Sequence, residues 1–132
     1  MTIAYLIDTD WAIYYLHGRS QFVQRLQDLQ REGLGLSAAS LAELYEGVYA
    51  SRDFKESGKA LDDFLEGITV VDIDREIAKT FGQYRSQLRS VGMMIGDMDL
   101  LIASTALQNN LVLLTNNRRH FERIKNLRIE SL

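Results

Sequence analysis

Residues 5–13, YLIDTDWAI, decide the fold class of this chain. The segment begins as a short continuous apolar run and changes at Asp8 to polar residues that can begin a helix. A continuous apolar run is typical of a strand covered on both faces, as in a parallel sheet. The stretch therefore predicts a strand followed directly by a helix, with Asp8 at the carboxyl end of the strand.

The rest of the chain repeats this alternation. Three further apolar runs and a weaker fourth one occupy residues 34–36, 68–71, 112–114 and 127–129. Apolar residues three and four apart predict helices between them, within residues 22–29, 41–48, 61–65, 77–88 and 100–107. We therefore predict an α/β fold, with a central, mostly parallel sheet of four to five strands flanked by helices. The 132 residues fit a single domain, 1–132.

Composition limits the possible chemistry. The chain has no Cys and only two His, so any metal would be held mainly by oxygen atoms, and a His-rich zinc site is disfavoured. The net charge of −3 does not suggest binding to nucleic acid by overall charge alone. No apolar run approaches the roughly 18 residues that span a bilayer, and the N-terminus lacks a basic segment, so we expect a cytoplasmic protein without membrane contact.

Acidic residues recur where strands end and helices begin. Asp8 and Asp10 flank Thr9 after the first strand, and one of them can cap the helix that begins near Trp11 while the other faces a cleft. The pair Asp97 and Asp99 offers the same division, with Asp97 as the better cap candidate. Ligands of parallel sheets bind beyond the carboxyl ends of the strands, which is where these side chains are expected.

Glu43 and Asn117 complete the set. Glu43 follows the second strand, although Ser40 and Glu43 also have the spacing of a capping box, which explains Glu43 equally well. Asn117 follows the fourth strand, where Asn is often only a turn residue and where Thr115 could add a hydroxyl group. Several carboxylates in one cleft repel one another unless a cation joins them, and oxygen ligands suit Mg²⁺ or Mn²⁺. Such a site can hydrolyse a phosphodiester.

Four segments in order resemble the PIN-domain ribonucleases, and within them the VapC-like toxins of toxin–antitoxin pairs. They are YLIDTDWAI (5–13), LSAASLAELYEGV (36–48), IGDMDLLIASTAL (95–107) and LLTNNRRHFERI (113–124). The resemblance implies a metal-dependent endoribonuclease whose acidic site is Asp8, Glu43 and Asp99. Asp8 and Asp99 would hold Mg²⁺, or Mn²⁺, with Glu43 as a third metal residue, and Glu43 would also orient water or act as general base.

The resemblance also implies an RNA substrate, a cognate antitoxin protein and a homodimer. The fourth site position, often acidic in PIN domains, is Asn117 here, so we expect one well-held metal ion rather than two. The role of Asp10 stays open, because many relatives have a neutral residue at its position. Candidate phosphate contacts are Arg85, Arg89, Arg118 and Arg119.

Three alternatives remain from sequence alone. The DxD pattern of Asp8 and Asp10 resembles the start of haloacid-dehalogenase-like phosphatases, but Ala12 stands where their usual motif has Thr. The domain could also be a catalytically inactive binding module, or a PIN-type nuclease of RNA processing outside a toxin system. The substrate separates the phosphatase, which would release phosphate from a small phosphoester, from the nuclease.

Overall fold

A computed structural model of the chain describes residues 2–132. Its sheet has five strands, all parallel, in the order β3-β2-β1-β4-β5. The strands are β1 (Tyr5–Ile7), β2 (Leu34–Ser37), β3 (Ile68–Val71), β4 (Val112–Leu114) and β5 (Ile129–Glu130). The predicted α/β class and parallel sheet are confirmed, including the weak fifth strand.

Helices connect the strands and cover the sheet. They are α1 (Thr9–Leu16), α2 (Ser20–Leu29), α3 (Ala38–Ala50), α4 (Phe54–Leu65), α5 (Arg75–Ser90), α6 (Asp97–Gln108) and α7 (Arg118–Phe121). A single 3₁₀ turn, Gln30–Glu32, leads into β2. None of the helices within residues 2–132 combines the length and apolarity that crossing a membrane requires.

Two apolar clusters pack against the sheet, one on each face. Ile7 and Leu114 belong to the cluster that contains Trp11 and Phe22, whereas Leu6 belongs to the cluster on α6 and α7. Successive strand residues point to opposite faces, so these short strands contribute to both clusters. This is why the runs read as continuously apolar.

Strand β3 is an exception to the expectation that each run is covered on both faces. It lies at the edge of the sheet, and its residue Val70 is 36% exposed. An edge strand has a neighbouring strand on one side only. The sequence alone does not reveal which apolar run forms the edge strand.

The strand order places a crevice in the middle of the sheet. From β1 the chain adds β2 and β3 on one side, and then returns to add β4 and β5 on the other. The order therefore reverses between β1 and β4, and parallel sheets bind ligands at such a reversal. Asp8 follows β1 and Thr115 follows β4, so both residues reach this point.

Candidate active site

Asp8 is the buried centre of the candidate site. It follows β1 and is the N-cap of α1, and its Oδ1 accepts the backbone N–H of Thr9 at 2.8 Å. Its Oδ2 accepts the hydroxyl of Thr115 at 2.6 Å. Only 4% of the residue is exposed. Both carboxylate oxygens are thus held in place by residues of neighbouring strand ends.

Thr9 joins Asp8 to Glu43. The hydroxyl of Thr9 donates to Oε1 of Glu43 at 2.7 Å, while its backbone N–H bonds Asp8. Glu43 lies in the second turn of α3, which starts at the end of β2. One threonine therefore fixes two of the predicted acidic residues relative to each other.

Thr115 begins the connection to the other predicted residues. Its Oγ1 accepts the backbone N–H of Asn117 at 3.0 Å. Nδ2 of Asn117 is 3.0 Å from Nδ1 of His120, which is 2.9 Å from Oδ2 of Asp99. The β4–α7 loop and helix α7 thereby reach across to the first turn of α6, where Asp99 lies.

These contacts form a continuous chain through all four predicted site residues. It runs Glu43, Thr9, Asp8, Thr115, Asn117, His120 and Asp99. The structure thus brings Asp8, Glu43, Asp99 and Asn117 together from four separate segments of the chain.

Asp10 anchors the loop between β4 and α7 and is not the N-cap of α1. Its Oδ2 accepts the backbone N–H of Asn116 at 2.9 Å, and its Oδ1 accepts that of Trp11 at 2.7 Å. The side-chain oxygen of Asn116 in turn accepts the indole N–H of Trp11 and the backbone N–H of Leu132. Asp10 therefore anchors the loop that carries Thr115 and Asn117.

Burial raises the pKa of two carboxylates, Asp8 and Asp10. Burial, and then the nearby charges of Asp10 and Asp99, raise the pKa of Asp8 from 3.8 to about 7, although the hydrogen bond from Thr115 opposes the shift. Burial also raises the pKa of Asp10. Within residues 2–132, neither residue forms an ion pair with Lys or Arg. Among the described residues, Asp8 and Asp10 therefore have no Lys or Arg partner to compensate their charge.

Three capping expectations are wrong. Of the two cap candidates Asp8 and Asp10, Asp8 is the N-cap of α1, so capping and the site position are not divided between two acids as expected. Helix α3 starts earlier than the sequence suggests, with Ser37 as its N-cap, so Ser40 and Glu43 form no capping box. Gly96 is the N-cap of α6, and Asp97 instead pairs with Arg85 at 2.9 Å.

The candidate phosphate contacts separate into two kinds. Arg85 is engaged by Asp97, whereas Arg118 and Arg119 are exposed on α7, next to Asn117 in the chain. Arg89 is exposed near the end of α5. Arg118 and Arg119 therefore remain candidate phosphate contacts, because their helix also carries His120, which belongs to the chain of polar contacts.

The donor set fits a divalent cation that keeps water ligands. In the described part of the chain, no three His, Asp or Glu side chains are close enough to surround an ion by themselves. The charge of Asp99, which is partly exposed, nevertheless contributes to the raised pKa of the buried Asp8 carboxylate. Mg²⁺ commonly binds through one or two carboxylates and retains several waters, and a pair of carboxylates is compatible with such an ion.

Sequence reasoning missed the residues that connect the site. Thr9 lies between two acids and carries no signal of its own, and His120 stands out only as one of two imidazoles. No local pattern distinguishes a threonine that bridges two carboxylates from one that simply begins a helix. The contact between His120 and Asp99 spans 21 positions and exists only in the folded chain.

Comparison with known proteins identifies the family of the chain. The PIN domain family model matches residues 5–127. Ribonuclease VapC2 of Rickettsia felis is 33% identical over 129 residues, which is 96% of each chain. The tRNA(fMet)-specific endonuclease VapC of Salmonella typhimurium is 30% identical over 97% of each chain.

A solved structure extends the comparison to the fold. It is the VapBC2 complex of Rickettsia felis bound to a DNA fragment of its promoter, and one of its chains has a TM-score of 0.93 and 32% identity. The match covers 98% of this chain and 99% of that one. The fold and its crevice define a PIN domain, and the chain belongs to the PIN-domain family. Within that family it is a VapC-type member, as its near full-length relatives show.

Proposed function

We propose that this protein is a divalent-cation-dependent endoribonuclease and the toxin of a toxin–antitoxin pair. The observation that carries the proposal is the chain of close polar contacts linking Asp8, Glu43, Asn117 and Asp99 at the strand-order reversal. VapC-type relatives are named ribonucleases, and one is named a tRNA(fMet)-specific endonuclease. The PIN-domain match leaves the phosphatase alternative without support.

Each residue has a separate task in this proposal. Asp8 and Asp99 would hold Mg²⁺ or Mn²⁺, which supplies charge stabilisation at the phosphate and lowers the pKa of bound water. Glu43 orients the attacking water or accepts its proton, and Thr9 keeps the Glu43 carboxylate in place. The contact between Asn117 and Thr115 fixes the loop that follows β4, at the fourth position of the site. Because Asn117 adds no charge, we expect one resident ion.

An RNA cleavage assay tests the activity. The protein free of antitoxin is incubated with total RNA and with tRNA(fMet), in Mg²⁺ or Mn²⁺ and in chelator. We expect cleavage that chelator abolishes, and losses of about 10²–10⁴-fold for Glu43→Gln, the size typical of a lost general base. Asp8→Asn and Asp99→Asn should lose activity at least as severely, since each removes a proposed metal ligand.

Asp62→Asn is the matched control, because Asp62 is exposed on α4 and its loss of charge is the same. Cleavage that persists in chelator, or in both Asp8→Asn and Asp99→Asn, contradicts the proposed site. Absence of any cleavage under all these conditions favours the inactive binding module.

A surface groove supports the proposed protein partner. A cavity of about 320 Å³ is lined by residues of α1, α3 and α4, and Glu43 forms part of its wall. Ile13 of this groove is 38% exposed, and Tyr49 and Phe54 on the same helices are 71% and 52% exposed. Exposed apolar side chains on the helices that form a groove are typical of a surface that a partner covers.

Co-expression with a candidate antitoxin tests the partner. Ile13→Glu should weaken the complex, because it introduces an unpaired charge into the groove. The control is Val91→Glu, since Val91 is also apolar, is 65% exposed and lies outside this groove; it should leave the complex unchanged. Equal binding by both variants would place the antitoxin elsewhere. Light scattering on the purified protein tests the proposed homodimer.

A further inference from the structure

His120 lies within the site but has no role in the proposal above. It is on α7, its side chain is 46% exposed, and its Nδ1 is 2.9 Å from Oδ2 of Asp99. It is one of only two histidines in the chain. The other, His17, is the C-cap of α1, at the opposite end of that helix from Asp8.

Two neighbours compete for the same ring nitrogen. The carboxylate of Asp99 can only accept, so it needs a proton on Nδ1, whereas Nδ2 of Asn117 can only donate, so it needs a lone pair there. Nδ1 offers one or the other and cannot satisfy both. A cation bound by Nδ1 and the Asp99 carboxylate together uses the lone pair of the neutral ring and the carboxylate charge, so no proton is needed between these two atoms; the Asn117 amide then needs another acceptor.

The separation of the two atoms is compatible with this arrangement. Ligand atoms at adjacent corners of an octahedron, each about 2.1 Å from the ion, are about 3 Å apart. The Nδ1 and Oδ2 atoms are 2.9 Å apart. They could therefore contact one ion without a large rearrangement of α6 or α7.

We propose that His120 is a nitrogen ligand of the divalent cation, beside Asp99, and that it makes the site prefer Mn²⁺ over Mg²⁺. The inference rests on the cation-dependent function proposed above and specifies which ion it uses. Imidazole suits transition metals, whereas Mg²⁺ favours carboxylates and water. A site of oxygen atoms alone would not discriminate in this way.

Metal titration without RNA tests the proposal. Calorimetry compares Mn²⁺ and Mg²⁺ binding to the wild type, to His120→Asn and to the control His17→Asn. An Asn amide can still bond the Asp99 carboxylate, so this substitution removes the imidazole and keeps a positioning contact. We expect a loss of Mn²⁺ affinity of about tenfold or more, a change in Mg²⁺ affinity below about threefold, and no change for His17→Asn.

A residue that only orients Asp99 would give a different pattern. Its loss would weaken both ions to a similar degree, as removing the hydrogen-bonding support of a ligand usually does. That result, or unchanged Mn²⁺ affinity in His120→Asn, overturns the inference. Thermal unfolding in chelator checks that the variant is folded.

Electron paramagnetic resonance of bound Mn²⁺ gives a direct second readout. Coupling to an imidazole nitrogen should appear in the wild type and in His17→Asn, and disappear in His120→Asn. A wild-type spectrum without nitrogen coupling overturns the inference even if Mg²⁺-supported RNA cleavage is present. Conversely, nitrogen coupling without RNA cleavage would leave the ligand assignment standing and contradict the proposed nuclease.

Discussion

At the scale of single residues, Asp8 has two tasks that the sequence pattern divides between two acids. It caps α1 and it is the buried carboxylate of the site. The two tasks are compatible because the carboxylate has two oxygens, one for the N–H of Thr9 and one for the hydroxyl of Thr115. Asp10 is then free to anchor the neighbouring loop.

The raised pKa of Asp8 predicts a specific dependence of stability on pH. Because burial raises the pKa from 3.8 to about 7, the folded state keeps a proton that the unfolded state has lost between these values. Stability contributed by this group is present at low pH, falls as pH rises from about 4 to about 7, and is constant above.

Asp8→Asn should remove this loss, because the amide does not ionise. We expect the variant and the wild type to be similar near pH 4 and the variant to be more stable at pH 8, by on the order of a few kcal/mol. Urea unfolding in chelator across this range measures the difference. Parallel curves for the two proteins would show that Asp8 does not titrate as described, and Asp62→Asn is the control for a lost exposed charge.

At the scale of elements, the start of α3 decides what Glu43 can do. With Ser37 as N-cap, Ser40 lies in the first turn, and its hydroxyl is buried without a hydrogen-bond partner. Glu43 is consequently beyond the reach of a capping box and bonds Thr9 of α1 instead. The start of α3 therefore places Glu43 in the candidate site rather than in a capping box.

This difference gives a paired prediction on two serines of the same helix. Ser37→Ala should destabilise the protein by about 1 kcal/mol, because it removes the side-chain acceptor of the N–H of Ser40. Ser40→Ala should be neutral or stabilising, because it removes a buried hydroxyl that has no partner. Urea unfolding of both variants measures the two changes, and a larger loss for Ser40→Ala would contradict this assignment of the cap.

At the scale of the whole molecule, cation binding should be coupled to folding. The carboxylates come from separate segments that only the folded sheet brings together, so the proposed cation should bind the folded state preferentially. At a hundredfold excess over its Kd, such a ligand contributes about 2.7 kcal/mol to stability. The contribution should be smaller near pH 5.5 than at pH 8, because bound metal must displace the proton that Asp8 retains at the lower pH.

Thermal unfolding with Mn²⁺ or Mg²⁺ at both pH values checks this coupling. We expect an increase in Tm at pH 8 that shrinks at pH 5.5 and is lost in Asp99→Asn. An increase of equal size in the variant would locate the ion away from the proposed site.

Much of the architecture follows from the sequence by itself. Continuous apolar runs determine a parallel sheet, because strands covered on both faces cannot alternate with polar residues. The carboxyl ends of such strands lie on one edge, so the positions of Asp8, Glu43 and Asn117 along the chain are enough to assign them to a common region. Those assignments depend only on local pattern and on the geometry of parallel sheets.

The tertiary structure alone decided how these groups are connected. Which residue caps a helix depends on where its first turn begins, and the sequence offers more than one Ser or Asp near the starts of α1 and α3. The bridges through Thr9 and His120 join segments that are 34 and 21 positions apart. No periodicity encodes contacts of that kind, because they arise from the order of strands in the sheet.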